Sequence, residues 1–528
     1  MNKNICMALL VGVSLTMASA CSSLTSSDNG TSSAVQQLFT LEPTPERNAL
    51  QKTATGYLAT VLADPSTQEI TWIKVNPALV SNETQALAVT LPNGKTAAFN
   101  LRDFNTLTAG IEGWVGYTPS TWKQAHAPSS SAEIDNDPLF YLSLAKEDNN
   151  LVGNLVVEGQ RYRIDPVGQG QYALVKIDES KLPPEGEPIR VTEASTKAAA
   201  ASSGAVSTHS VIRVLFVSTH QSRAKYPDYR LRLAHVLQDA NQYLKNSQVE
   251  ITYELAGYYD ANYNETSDSS GQLNDVRRIE ADLGKAVYAQ RDALRADLVS
   301  MLSTFSEVCG RAYLSSTKGT GYSVFSCIGG TLAHELGHNL GGNHSLDVPD
   351  PAKSYNHGYR HESPNFHTIM RTSHGAVGYF SNPRIRYQGV AMGTVQNHDN
   401  ARRFNEYRET VENFYPPLHT PITVTLFEQD NFSGRSCNMT LQHTQQRNAC
   451  REARSARVQG AGVHSQFCIG DYQATKESCY TVNSGGAGDY STSNLDNPST
   501  LPPNVTHRKV GAGAIGNTQQ VRYQVFPR

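Results

Sequence analysis

The sequence predicts a multidomain protein in which a central α/β domain lies between an N-terminal β-rich domain and a C-terminal β-sandwich. The chain has 528 residues, which is too long for one ordinary domain. A tether and then strand-like segments make up residues 22–191, helical and strand-like patterns alternate over 211–416, and short strand-like segments return over 421–528. A run of small residues at 192–210 has the composition of a linker between the first two parts.

Residues 1–21 have the features of an export signal. Lys3 gives a positive start, and the apolar stretch from Ile5 to Met17 is too short to span a bilayer. Ala18-Ser19-Ala20 forms a small-residue cleavage site. Cys21 follows it directly, where a bacterial lipoprotein signal has the cysteine that becomes lipidated. Export is therefore expected, either as an outer-membrane or cell-surface lipoprotein held by Cys21 or as a freely secreted protein.

Residues 22–191 begin with a serine- and threonine-rich stretch that is typical of a flexible tether. Short strands follow, with a turn at Asn93-Gly94, and their segments are EITWIKVN, LAVTLPNGKTAAFNL, NLVVEGQRYRID and QYALVKID. The proline-rich LPPEGEP at 182–188 ends this domain. We expect the linker after it to be accessible to proteases.

The pattern of residues 211–416 predicts alternating strands and helices. VIRVLFVST is a continuous apolar run typical of a central strand, and YRLRLAHVLQDANQYLKN has apolar residues at helical spacing. Next come a strand in VEITYELAGYY, one helix near 273–292, a strand in ADLVSML and an edge strand in GRAYLSS. These elements lead to the stretch TLAHELGHNLGGNHS at 331–345.

Three histidines in this stretch have the spacing of a metal site. Four residues turn a helix by about 400°, so His334 and His338 project from one face. Gly341 and Gly342 end the helix and let the chain return His344 as a third ligand. The opposite face is apolar and predicts burial in the core, through Ile328, Leu332, Leu336 and Leu340.

The ligand set predicts zinc chemistry. Three neutral nitrogen ligands suit zinc and leave a fourth tetrahedral position for water, as in catalytic rather than structural sites. Glu335 lies about 100° round the helix from His334, so its carboxylate should reach that water instead of the metal. Glu335 is therefore the candidate general base, able to take the proton during attack on a carbonyl and to deliver it to the departing amine.

HELGHNLGGNH resembles the HExxHxxGxxH signature of the metzincin zinc metalloproteases, and TIM at 368–370 resembles their Met-turn. YFSNPRIRYQG and NARRFNEYRETVENFY are similar to the segment that follows the Met-turn in bacterial adamalysin-like, or reprolysin-like, proteases. The resemblance implies a mixed twisted sheet with a zinc helix, zinc endopeptidase activity, and a Met370 packed under the zinc. Ser345 stands where adamalysins usually have aspartate. Four further histidines lack motif spacing and are predicted to be loop residues: His357, His361, His367 and His374.

The resemblance also interprets the flanks of the central domain. The N-terminal domain looks like the propeptide of a zymogen, but residues 22–308 contain no cysteine, so latency cannot depend on a thiol. The alternative is a permanent binding module. A substrate is expected to lie along the edge strand GRAYLSS. Three arginines near the wall after the Met-turn could favour an acidic residue on the leaving side of the cut: Arg371, Arg384 and Arg386.

The C-terminal segment predicts a small β domain supported by disulfides. Phe427, Phe432 and Gly434 follow the pattern of a βγ-crystallin Greek key, which implies calcium or surface binding by analogy only. Beyond Cys6 and Cys21, the chain has six cysteines: Cys309, Cys327, Cys437, Cys450, Cys468 and Cys479. A bridge from Cys309 to Cys327 would close a loop before the histidine stretch, while the pairing of the other four stays open.

The expected partners are protein or peptide substrates. A net charge of −3 leaves no basic surplus for nucleic acid, and the membrane enters only through a lipid anchor at Cys21. The sequence therefore predicts an exported zinc endopeptidase. The alternative function is that of a surface adhesin or carbohydrate-binding lipoprotein with an inactive protease-like domain.

Overall fold

The computed structural model describes residues 35–108, 110–190, 209–346 and 354–415, together with parts of the C-terminal segment. Those parts are 422–441, 446–447, 452–461, 465–471, 476–482, 488–498, 501–511 and 520–525. The predicted signal, Cys21, most of the linker and Cys450 lie outside the described residues. Val35–Arg528 forms one compact unit, and the predicted domain boundaries within it stay predictions. In the described part of the chain, the helices are too short or too polar to cross a bilayer.

The N-terminal part forms a ten-stranded sheet in the order β1-β4-β5-β6-β7-β8-β9-β10-β3-β2, antiparallel except where β1 pairs with β4. Its strands are β1 (Gln36–Gln37), β2 (Phe39–Leu41), β3 (Thr67–Val75), β4 (Ala86–Thr90), β5 (Thr96–Thr108), β6 (Ile111–Pro119), β7 (Asn136–Glu147), β8 (Asn150–Val157), β9 (Gln160–Gly168) and β10 (Gln171–Ile177). The helices are α1 (Arg47–Thr53), α2 (Gly56–Ala63) and α3 (Thr121–His126). The strands predicted from the sequence are present, and Gly94 has the positive φ of +80° that its turn requires.

The central part contains a five-stranded sheet in the order β12-β11-β13-β15-β14, in which β14 alone is antiparallel to its neighbour. The strands are β11 (Ser210–Ser218), β12 (Ile251–Asp260), β13 (Leu298–Leu302), β14 (Gly310–Ala312) and β15 (Tyr322–Phe325). The helices are α4 (His220–Lys225), α5 (Tyr229–Asn246), α6 (Ser269–Arg277), α7 (Asp282–Leu294), α8 (Thr331–Asn339) and α9 (Asn400–Glu412). Two hairpins follow α8, namely β16 (Arg360–Glu362) with β17 (Asn365–His367) and β18 (Asn382–Tyr387) with β19 (Val390–Met392).

Two details of this part differ from the sequence prediction. The single helix expected near 273–292 is two helices, because Arg278 is extended and turns the chain between α6 and α7. Gly284 allows this turn to be tight, since a Cβ atom there would overlap the Arg278 carbonyl and lie 2.8 Å from Asp275 O. GRAYLSS lies at the sheet edge as expected, but only Gly310–Ala312 is regular strand.

Helix α5 is buried on nearly all sides because it lies between the two sheets. Its apolar face joins a core cluster that includes β11 residues and also residues of the N-terminal sheet and α2. The face of α5 toward the N-terminal sheet makes hydrogen bonds and ion pairs with that sheet. Tyr141 Oη donates to Asp239 at 2.5 Å, and Arg232 pairs with Asp165 at 2.6 Å. The N-terminal sheet therefore completes the packing of a helix that belongs to the central part.

The C-terminal segment forms two sheets, in the orders β21-β20-β23-β26 and β22-β28-β24-β25-β27, around one apolar cluster. The strands are β20 (Ile422–Phe427), β21 (Ser436–Leu441), β22 (Gln446–Arg447), β23 (Ser455–Ala461), β24 (Ser465–Gly470), β25 (Glu477–Val482), β26 (Gly488–Thr492), β27 (Val505–Val510) and β28 (Gln520–Val525). The rings of Phe427 and Phe432 stack edge to face at 5.8 Å, and Gly434 has a positive φ of +79°. The likeness to βγ-crystallins and the calcium that it implies stay predictions.

Candidate active site

Helix α8 holds the first two histidines of the predicted metal site. His334, His338 and Glu335 are fully buried, and Leu332 and Leu336 pack into the core on the other face. Ile328, which was predicted on the same helical face, precedes the helix because α8 begins at Thr331 after Gly330. Its side chain nevertheless packs against the same core cluster.

The end of α8 brings the third histidine back toward the first two. Gly341 has a φ of +92°, and its N–H donates to His338 O at 2.8 Å, while Gly342 N–H donates to Gly337 O at 2.8 Å. This is the glycine-terminated reversal that the sequence predicted. His357 Nδ1 lies 2.7 Å from the carbonyl oxygen of His344, which fixes the returning chain.

The three imidazoles, here called the histidine triad, converge on one point. The Nε2 atoms of His334, His338 and His344 lie 3.0, 3.1 and 3.2 Å from one another. Each Nδ1 faces an acceptor, namely Ile369 O at 2.9 Å, Gly342 O at 2.8 Å and a Glu187 carboxylate oxygen at 3.2 Å. With Nδ1 as the donor, each Nε2 presents a lone pair to the same space.

This donor set fits zinc. Tetrahedral zinc with Zn–N bonds of about 2.0–2.1 Å requires nitrogens about 3.3 Å apart, close to the spacing of the histidine triad. Burial lowers the pKa of the His338 imidazole well below its usual value, and the two neighbouring imidazoles lower it further. The ring therefore stays neutral, as a metal ligand must.

Glu335 lies beside the histidine triad with both carboxylate oxygens buried and without hydrogen-bond partners among the described residues. Space for this carboxylate depends on Gly310 of β14, because a Cβ atom there would lie 2.7 Å from Glu335 Cγ and 2.8 Å from Cδ. Burial raises the pKa of the Glu335 carboxyl well above its usual value; the Glu185 carboxylate raises it further and Arg311 partly offsets both. A buried carboxylate of raised pKa is suited to accepting and returning a proton.

Met370 is fully buried and packs against α8 at Gly337, where a Cβ atom would lie 2.5 Å from the methionine sulfur. Its neighbour Ile369 provides the carbonyl that orients His334. The TIM segment therefore packs against α8 beside His334, and the role of Met370 beneath a bound zinc stays a prediction. A disulfide joins Cys309, next to β14, to Cys327, which precedes α8.

Comparisons with known proteins agree with this geometry. The family description "Metallo-peptidase family M12B Reprolysin-like" matches residues 231–345. The peptidyl-Asp metalloendopeptidase of Xanthomonas campestris pv. campestris is 30% identical over 389 residues, covering 69% of this chain and 90% of the relative. The chain belongs to this family of reprolysin-like metalloendopeptidases. Two proteins of the same name from Stenotrophomonas maltophilia are 29% and 27% identical, and each match covers 68% of this chain and 89% of the relative.

The edge of the central sheet at β14, where a substrate is expected, is covered by the chain itself. Residues 184–189, here called the cleft segment, lie along β14 and make backbone hydrogen bonds to it. Cys309 N–H donates to Pro184 O at 2.8 Å, Gly186 N–H to Gly310 O at 3.0 Å, and Ile189 N–H to Ala312 O at 2.9 Å. Gly186 permits this approach, since a Cβ atom there would overlap the Gly310 carbonyl oxygen.

The cleft segment also carries a carboxylate into the site. The Glu185 side chain is 4% exposed, and it accepts hydrogen bonds from the N–H of Ser373 at 3.1 Å and from the Ser373 hydroxyl. His374 Nε2 lies 3.7 Å from the same oxygen. A carboxylate oxygen of Glu185 also lies within 4.8 Å of a ring nitrogen of His334 and of a carboxylate oxygen of Glu335.

Sequence reasoning missed Glu185, Ser373 and His374 as members of the site. The only available signals were an acidic residue flanked by proline in LPPEGEP and a polar pair soon after the Met-turn. The arginines proposed for acid recognition have other contacts. Arg384 forms two bonds to Asp399 at 2.6 and 2.8 Å, and Arg386 Nη1 donates to the carbonyl of Gly389 at 2.9 Å. Arg371 Nη1 lies 3.4 Å from Ser345 Oγ, next to His344.

Of the remaining cysteines, those that the structure describes lie in the C-terminal sheets, namely Cys437, Cys468 and Cys479. Cys468 and Cys479 form a disulfide between the paired strands β24 and β25. They also cluster with Glu477, but their sulfurs are engaged in that disulfide and are not metal ligands. Cys437 is disulfide-bonded as well.

Proposed function

We propose that this metalloendopeptidase is an exported zinc enzyme that hydrolyses peptide bonds of protein substrates, with His334, His338 and His344 as ligands and Glu335 as general base. The observation that carries the proposal is the convergence of the three Nε2 atoms beside a buried carboxylate that has no hydrogen-bond partner among the described residues. The intact motif and the family membership argue against the alternative of an adhesin with an inactive protease-like domain.

When bound, zinc would polarise the scissile carbonyl and lower the pKa of a water molecule toward about 7. Glu335 would take the proton of that water and return it to the departing amine. Strand β14 would hold an extended peptide by backbone pairing, which positions the bond to be cut against Glu335. Gly310 serves both tasks, because it belongs to this strand and leaves space for the carboxylate.

The test of this chemistry is Glu335→Gln in the full-length chain. The variant should keep about one zinc per chain by elemental analysis and lose hydrolysis, because it removes the base and leaves the ligands. A matched control is Glu362→Gln, which changes an exposed carboxylate on the hairpin strand β16. Removal of zinc by a chelator should abolish hydrolysis, and added zinc should restore it. Substantial turnover by Glu335→Gln would refute the assigned mechanism.

We also propose that the substrates are cut next to acidic residues. The support is that three relatives bear the name peptidyl-Asp metalloendopeptidase, and that this chain holds its own Glu185 carboxylate beside the histidine triad. Digestion of a denatured peptide library, read by mass spectrometry, tests this. Enrichment of Asp or Glu at one position next to the cut supports the proposal, and enrichment of Leu, Phe or Met alone contradicts it.

The N-terminal sheet is proposed to be an inhibitory propeptide, and the linker at 192–210 its cleavage region. The support is the cleft segment, which takes the backbone partners on β14 that a substrate would need. Hydrolysis by the intact chain should therefore be slower than hydrolysis after cleavage within 192–210. Equal rates before and after the cut would favour the permanent binding module instead.

Export through residues 1–21 rests on the sequence alone. Mass spectrometry of the mature N-terminus from a bacterial host distinguishes the two routes. A lipid-modified Cys21 as first residue would establish the lipoprotein, and an unmodified N-terminus would establish the secreted form. An N-terminus that still contains Lys3 would contradict export by this signal.

A further inference from the structure

Glu185 is held by groups that have no other evident task in the site. Its carboxylate accepts from the backbone N–H and the hydroxyl of Ser373 and lies 3.7 Å from His374 Nε2. We propose that Ser373 and His374 form the subsite that binds the acidic side chain of the substrate, and that Glu185 occupies this subsite in the full-length chain. This inference rests on the proposed endopeptidase function and on its acidic preference.

The position of Ser373 and His374 fits a subsite next to the scissile bond. Both residues follow Met370 closely, and Thr331 Oγ1 at the start of α8 lies 3.3 Å from Ser373 Oγ. The subsite is therefore bounded by α8 on one side and by the segment after the TIM motif on the other. The Glu185 carboxylate oxygen in this subsite lies within 4.8 Å of a ring nitrogen of His334 and of a carboxylate oxygen of Glu335. A substrate residue next to the scissile bond could therefore reach the subsite with its side chain.

The cleft segment presents Glu185 as a substrate would present a side chain. The residues on either side, Pro184 and Gly186, make backbone hydrogen bonds to Cys309 and Gly310. An extended peptide on an edge strand points alternate side chains to one face, so the residue between two paired neighbours turns toward the cleft. The carboxylate therefore reaches Ser373 from the strand position at which a substrate residue would lie.

The chemistry of the subsite selects an anion. The Ser373 N–H can only donate, and the Ser373 hydroxyl and the His374 imidazole can donate as well. Glu185 Oε1 accepts both Ser373 bonds, while His374 Nε2 lies 3.7 Å from that oxygen without a hydrogen bond among the described residues. Bonds to an ionised acceptor are shorter and stronger than neutral ones. An asparagine of the same shape offers one acceptor oxygen and an NH₂ group that would face donors. The subsite should thus discriminate Asp from Asn, although the two side chains have nearly the same size.

The test is a competition between two peptides that differ only in Asp or Asn at the position next to the cut. Both peptides meet the same population of chains with an open cleft, so the ratio of their kcat/KM values does not depend on how much of the full-length protein is latent. The intact zinc-loaded chain should prefer the Asp peptide. Ser373→Ala should lower this ratio by about tenfold or more, the usual effect of losing a bond to a charged group. His374→Gln should also lower it, but by less, because His374 Nε2 lies 3.7 Å from the carboxylate oxygen.

Two control variants separate this subsite from other sources of preference. Arg371→Gln tests the arginine predicted from the sequence, and His361→Gln tests the general effect of removing a histidine, here one on the hairpin strand β16. Both should leave the Asp-to-Asn ratio within about twofold of the starting value. A thermal unfolding midpoint close to that of the unchanged chain confirms that each variant is folded, and the ratio itself does not respond to a merely structural loss.

The outcomes are distinct. No hydrolysis of either peptide by the unchanged chain would overturn the proposed function together with this inference. Hydrolysis with equal rates for the two peptides would overturn the acidic preference and the subsite. A preference for Asp that survives both His374→Gln and Ser373→Ala, or that falls only in Arg371→Gln, would overturn the subsite and leave the endopeptidase function standing.

Discussion

Replacement of Glu185 by alanine should activate the full-length chain. The Glu185 carboxylate is the buried anchor of the cleft segment, and its loss removes the bonds to Ser373 and the 3.7 Å contact with His374 Nε2. The remaining backbone bonds to β14 still hold the segment, but less firmly. A larger fraction of molecules then has β14 open to substrate at any moment, and hydrolysis by the uncut chain rises in proportion.

The size of the effect follows from the contacts. A hydrogen bond to a charged group stabilises the structure that contains it by about 1.5–3 kcal/mol. Taking the anchor as equivalent to one such bond gives a rise of about 10- to 150-fold in the ratio of open to covered clefts. Gly186→Ala should raise hydrolysis by an independent route, since its Cβ atom would overlap the Gly310 carbonyl oxygen and lie 3.2 Å from Arg311 Cζ.

The assay is the initial rate of hydrolysis of a fluorogenic peptide by zinc-loaded protein, with intactness of the chain checked by mass spectrometry at each time point. Glu83→Ala is the control, because Glu83 is exposed and precedes β4 on the N-terminal sheet. An unchanged or reduced rate in both Glu185→Ala and Gly186→Ala, with normal unfolding midpoints, would refute the inhibitory role of the cleft segment. A rate that rises equally in Glu83→Ala would show that general loosening, and not the cleft, controls activity.

Two further predictions concern the interface and the site. Asp165→Asn should lower the free energy of unfolding by about 1.5–3 kcal/mol in a denaturant titration, because the buried Arg232 loses one charged hydrogen-bond partner and keeps only Asp228 at 2.8 Å. Burial opposes the ionised form, but the charges of Arg232 and a second arginine keep the pKa of Asp165 below its usual value. The difference in the free energy of unfolding between the two chains should therefore be full above about pH 4 and vanish as the pH falls through that lowered pKa. Gly310→Ala should reduce hydrolysis by about 100-fold, since its Cβ atom displaces Glu335, whereas Gly319→Ala, with only Thr317 Oγ1 at 3.8 Å, should not. A small effect of Gly310→Ala would mean that Glu335 can shift without cost.

The metal-binding part of the site could be predicted because its information is local. His334, Glu335 and His338 lie within two turns of one helix, and the glycine after it fixes the return to His344. Helix α5 could be predicted equally well, because its bounds Tyr229–Asn246 coincide with a segment that has apolar residues at helical spacing. In both cases the periodicity of one segment determines which side chains face the core.

The occupied cleft could not be predicted because it depends on contacts distant along the chain. Glu185 meets Ser373 across 188 residues, and neither residue lies in a periodic or spaced pattern. The segment LPPEGEP has the composition of a loop, and its proline residues suggested only the end of a domain. Charge alone offers the arginines only as one option for acid recognition beside that of solvated surface residues, and Arg384 is bonded to Asp399.

Specificity and latency become one property if the same subsite serves both. The sequence has no cysteine in 22–308 that could block the metal, so any latency must depend on other chemistry. A protease that prefers acidic side chains can be blocked by an acidic residue of its own, provided that a neighbouring strand holds it in place. Glu185 and a substrate aspartate then compete for Ser373 and His374, and the free energy of that contact enters both equilibria. His374→Gln should accordingly lower the preference for Asp and, in the same protein, raise hydrolysis of a neutral peptide by the uncut chain. If the preference falls while latency is unchanged, the two functions are separate, and Glu185 is held in place by its backbone alone.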